Sequence, residues 1–116
     1  MVSNAQDAIA ALLACGIEDD FAQDLITHES DYDKVCNDPL NYLGDQWMEI
    51  NAAFVPANDV HQLEAAMIAL HFRPDVAKSY SRTLINTQGH IRLREPFSWA
   101  MMFANGLYKY GSADLS

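Results

Sequence analysis

His28, His61, His71 and His90, with Cys15 and Cys36, supply the imidazoles and thiols that acid–base, nucleophilic or metal chemistry would draw on in this chain. His61 and Glu64 stand three apart, a spacing that puts an imidazole and a carboxylate on one helical face, where they can share a metal. A metal site needs three or four ligands, and the sequence holds no second pair of this kind. No metal site is therefore expected, and a surface pair at a helix start is the plain account. His28 lies between Leu25 and Tyr32 on an apolar stripe. A satisfied core histidine is expected there, because a buried imidazole without a hydrogen bond is costly. His71 would close an apolar helix at its negative pole, and His90 has no acidic neighbour. Two cysteines make neither a disulfide framework nor a metal-binding set, and they read as reduced, packed thiols.

Other routes to chemistry leave characteristic local patterns. The chain has no G-x-S-x-G elbow, no P-loop, no dinucleotide fingerprint and no H-E-x-x-H. Asp31-Tyr32-Asp33 has the D-x-D of a calcium loop without the turn glycine or the closing glutamate. No catalytic residue and no cofactor are assigned on these grounds.

Carboxylates are the more distinctive feature. Of sixteen acids, thirteen precede Arg73, with Lys34 the one base among them; the other six bases follow from Arg73 onward. The chain, with a net charge of −9, is thus dipolar along its length. Glu18, Asp19, Asp20, Asp24, Glu29, Asp31 and Asp33 form the densest run, continued by Asp45 and Glu49. For any one of these acids a solvated helix face is the structural account. Together they suit a negative surface that steers a basic protein toward it. Direct nucleic-acid binding is not expected, since phosphates would be repelled. Arg82, Arg92 and Arg94 are read as matching the acids within the chain or across a homodimer. Trp47, Phe97, Trp99, Met101, Met102 and Phe103 read chiefly as core, with a partner anchor among them as the alternative.

The elements that carry these residues follow from length and periodicity. At 116 residues, half of them hydrophobic, the chain supports one core and one domain over 1–116. No basic stretch precedes the apolar residues 9–13, so no signal peptide is expected. The uncharged residues 96–108 fall short of the ~20 that a membrane span needs. A cytoplasmic protein without a membrane segment is the expectation. No internal repeat stands out.

Prolines 39, 56, 74 and 96 punctuate the chain as helix starts or breaks. Asn4 caps a helix over 5–15, stopped by Gly16. A second helix begins in the acids at 18–20 and places Phe21, Leu25, His28, Tyr32 and Val35 at 4-3-4-3 spacing. Asp38-Pro39 opens a third, with Leu40, Leu43, Trp47, Ile50 and Phe54 on its apolar face. Asp59, with Gln62 three residues on, resembles a capping box for a fourth that Arg73-Pro74 ends. Residues 75–80 look helical. Residues 83–94 alternate around Gln88-Gly89 and suit a short β-hairpin as well as a continued helix. A last helix from Pro96 is apolar nearly all round and belongs at the centre of the bundle or in an interface.

The expected fold is mainly α, a compact bundle of about five helices, with or without that hairpin. The function that fits best is a non-enzymatic protein-binding module. Inhibitors, immunity proteins, adaptors and other phage or bacterial accessory proteins are of this kind. A second reading is a small enzyme or ligand-binding protein using His28, His61 and Cys36. A third is a homo-oligomeric structural component with the last helix as its seam.

Overall fold

Helix-forming spacing governs the whole described chain. The computed structural model describes residues 4–26, 28–88 and 95–111. Among them seven α-helices form a bundle, and the one β-feature is an isolated bridge. The helices are α1 (Ala5–Ala14), α2 (Asp19–Leu25), α3 (Glu29–Asn37), α4 (Pro39–Trp47), α5 (Val60–Ala69), α6 (Pro74–Gln88) and α7 (Pro96–Tyr110). None is long and apolar enough to cross a membrane.

Capping signals set the helix starts. The Asn4 side chain accepts the Asp7 N–H at 2.8 Å, Asp38 accepts that of Asn41 at 3.2 Å, and Asp59 accepts that of Gln62 at 2.8 Å. Each fills one of the donors that a helix start leaves open. Gln62 completes a variant of the capping box, because its Oε1 takes the N–H of Asn58 rather than that of Asp59.

Two of the expected helices are broken. Residues 18–35 form α2 and α3, with Ile26 leaving the helical region (φ −91°, ψ 78°). The apolar stripe survives the break because α2 and α3 both pack on α1, placing Ala22, Ile26 and Val35 in one core. His28 drops out of that stripe. It precedes α3 as an exposed residue, so it is not a core histidine. The helix expected to reach Phe54 stops at Trp47. There the hydrogen bonds tighten to i+3, Ile50 N–H donating to Trp47 O at 2.9 Å, and a 3₁₀ turn follows at Asn51–Ala53. Phe54 is consequently exposed. Conversely, α6 runs past residue 80 and makes residues 83–88 helical, so the first arm of the hairpin considered for 83–94 is not a strand; residues 89–94 lie outside the described residues.

Two chain reversals hold the bundle together. After α1 the chain turns through Gly16 (φ +90°), and after α5 through His71 (φ +72°), both in the left-handed region. The next residues, Ile17 and Phe72, face each other as an antiparallel bridge. Glu18 N–H donates to His71 O and Arg73 N–H to Gly16 O, each at 2.9 Å. From cap to left-handed residue the spacing is the same in both halves, Asn4 to Gly16 and Asp59 to His71, a likeness that the unrelated side chains hide. Trp47 locks α4 onto this junction, its indole N–H donating to Leu70 O at 2.8 Å and its ring lying 5.4 Å from that of Phe72. α7 lies against α1, α4 and α5, burying Trp99, Ala100, Phe103 and Ala104. The expected central place of this helix is thus met within the chain, although Met102, Tyr108 and Tyr110 stay exposed.

Gly16 is favoured chiefly by its backbone. A side chain is strained at its φ, and a Cβ would stand 2.6 Å from Leu107 Cδ1. Gly16→Ala is expected to lower stability by about 1–2 kcal/mol in urea unfolding, chiefly the left-handed penalty, since the Leu107 tip can shift.

Candidate functional site: an acidic cleft between α3 and α4

The outer face of α4 carries Asp38, Asn41, Tyr42 and Asp45, which recur at helical spacing. With Lys34 from α3 they line a cleft of about 200 Å³. The Tyr42 hydroxyl donates to Leu25 O at 3.4 Å and so ties α4 to the end of α2. Burial raises the Tyr42 pKa above its ordinary 10, and the nearby Asp31 carboxylate raises it further. Asp38 and Asp45 thus share the cleft with Tyr42 and with Lys34 as its cation, and Asp31 acts on the phenol from nearby. Asp38 is held by its capping bond at the start of α4, where the helix dipole favours its negative charge.

Of the acids expected in the partner surface, Asp45 lines this cleft and Asp38 joins it; Asp31 does not line the cleft but lies near enough to act on the Tyr42 phenol. Asp38 was legible as a cap but not as a member of the surface. Its separation from Asp45 by two helical turns was the available signal. Glu18, Asp19, Asp20, Asp24, Glu29, Asp33 and Glu49 are exposed but do not line the cleft. Asp19 accepts the Gln23 side-chain amide at 2.8 Å. Among the described residues, none of Glu18, Asp19, Asp20, Asp24, Glu29, Asp31, Asp45 or Glu49 is ion-paired to a base of the chain. Arg73 instead pairs with Asp75 at 3.6 Å, and Arg82 is exposed on α6. Arg92, Arg94 and His90 lie outside the described residues.

The density of acids in residues 18–33 also has a local cause. Asp19 and Asp20 occupy the first turn of α2, and Glu29 and Asp31 that of α3. Breaking the segment into two helices gives these carboxylates two positive helix ends to serve.

The histidines and thiols are scattered. His61 is exposed and Glu64 half-buried, and no group of three or more His, Cys, Asp and Glu capable of holding a metal occurs among the described residues. His71 stacks on Phe21 with ring centroids 3.7 Å apart and planes 7° apart. Burial lowers its pKa from the ordinary 6.5, outweighing the opposing pull of Glu18. Cys15 is buried and its pKa is pushed up to about 12, while Cys36 is half-buried. A thiol so raised is unsuited to nucleophilic attack at neutral pH. Comparisons with protein-family models, curated proteins and solved structures return no match.

Two titrations check this geometry. In NMR the Tyr42 phenol should ionise above pH 10, and Asp31→Asn should move it only part of the way back, because burial is the larger cause. His71 favours its neutral form in the fold. Its stabilising contribution is therefore complete above pH 6.5 and is lost as pH falls through the lowered folded-state pKa. His71→Asn, which tolerates the left-handed backbone, should remove that part of the acid sensitivity in denaturant melts at stepped pH.

Proposed function

We propose that this chain is a non-enzymatic binding module of the inhibitor, immunity-protein or adaptor kind, engaging a basic protein partner through the α3–α4 cleft and the exposed acids of α2 and α3. The observation that carries the reading is the sharing of one cleft by Asp38, Asp45 and Tyr42, with Asp31 acting on the phenol from nearby and neither Asp31 nor Asp45 ion-paired to a base among the described residues. A lysine or arginine from a partner gains long-range attraction from the exposed carboxylates, which raises encounter rate and selectivity more than affinity. A raised half-buried tyrosine beside the acids supplies an apolar ring and a hydroxyl, a pairing common where proteins meet. Two free thiols fit action in the reducing cytoplasm.

The test is affinity capture from the source organism with the intact chain as bait, followed by salt elution. Retained partners should be basic, and affinity should fall as ionic strength rises. Replacing Asp31, Asp38 and Asp45 together by Asn, which keeps the Asp38 capping role, should weaken binding roughly tenfold or more and flatten the salt dependence while leaving the melt near that of the parent. Retention of neutral or acidic proteins, or binding indifferent to both salt and the triple substitution, would overturn the proposal.

A further inference from the structure

A second depression, of about 510 Å³, lies between residues 51–58 and the exposed side of α5. Val55 and Pro56 stand on its loop side and Ala65 and Ala66 on its helix side, and Asn51, Asn58 and Gln62 bring three carboxamides to it. Its size falls within the ordinary range of ligand sites. No charged side chain lines it, which sets it apart in a chain of net charge −9. An ionic ligand would lose hydration there without meeting a counter-charge. The carboxamides are the available polar groups. Gln62 Oε1 is taken by the Asn58 N–H at 2.8 Å, but the Gln62 amide group and both asparagine side chains make no other hydrogen bond among the described residues.

A carboxamide offers one acceptor and two donors, the groups that match the N–H and C=O of a main chain. The site is also held in shape. Buried Ala53 and Ala57 anchor the loop from beneath, and the Asp59 cap and the Gln62–Asn58 bond pin its end to α5. Binding to such a loop loses little entropy in ordering it.

We propose that this groove binds an uncharged, extended peptide segment. Its main-chain amides pair with Asn51, Asn58 and Gln62, and a short apolar side chain rests on Ala65 and Ala66. The site is separate from the acidic cleft, and its binding is insensitive to salt where that of the cleft is not.

The test is NMR titration of the full-length chain with the blocked tripeptide alanyl-leucyl-alanine. Analogues with a central lysine or aspartate serve as charge controls, and blocked leucine alone as a length control. The neutral tripeptide should perturb Asn51, Val55, Asn58, Gln62 and Ala65 equally at low and high salt. It should bind more tightly than both charged analogues and than blocked leucine. Asn58→Ala should weaken binding about five- to tenfold, the worth of one or two hydrogen bonds, without touching the backbone bond to Gln62. Ala65→Leu should fill the groove and abolish binding. Absence of perturbation at millimolar peptide, preference for the lysine analogue, perturbation confined to the α3–α4 cleft, or equal binding of blocked leucine would each overturn the proposal.

Discussion

The bundle depends on the pairing of two turns. Gly16 and His71 reverse the chain in a backbone conformation that few residues adopt, and the reward is the pair of hydrogen bonds across Ile17 and Phe72. Around this short junction, α1 and α2 meet α5 and α6, and the Trp47 indole donates to the carbonyl that ends α5. The strain at His71 is offset locally. Its ring stacks on Phe21 of the opposite half, so the residue that bends the backbone also binds the two halves together. Buried Cys15 lies directly before the glycine, in surroundings that keep it a thiol.

Much of the fold was legible because capping and periodicity agree. Asn4, Asp38 and Asp59 start helices as their types suggest, and Gly16 ends one. Misplaced boundaries have a common origin: an apolar stripe reports which residues face the core, not whether the backbone is continuous between them. Residues 21–35 keep their spacing through a break, and residues 39–54 lose their helix after Trp47 although Ile50 and Phe54 extend the pattern. His28 was misjudged for the same reason, since it held a stripe position inside the gap. The internal likeness of the halves was invisible because its marks are backbone angles, carried by glycine in one half and histidine in the other. Of the candidate surface, the abundance of acids was plain in the sequence. The cleft that Asp38 and Asp45 share with Lys34 and Tyr42 was not, because it depends on how α3 packs against α4.

The acids serve two ends. Those in the first turns of α2 and α3 stabilise short helices that would be marginal alone, so part of the charge excess is structural. Asp38 does both, capping α4 while facing the cleft. The surface is consequently uneven in character. One cleft gathers carboxylates around a tyrosine, and one groove is free of charge and edged with amides. Such contrast on a small molecule lets contacts of different chemistry be made at separate places.

The junction between the turns also bears on how the chain acquires its shape. Ile17 and Phe72 are separated by the whole of α2 to α5, so joining them closes a long loop, whereas each helical turn closes a short one. During synthesis the first reversal leaves the ribosome well before the second exists. Until α5 is complete, the edge at Ile17 has no mate and the hydrophobic residues meant for the junction remain uncovered. The seam therefore closes only after α5 has been made, and the short helices of the first half wait on it for part of their cover.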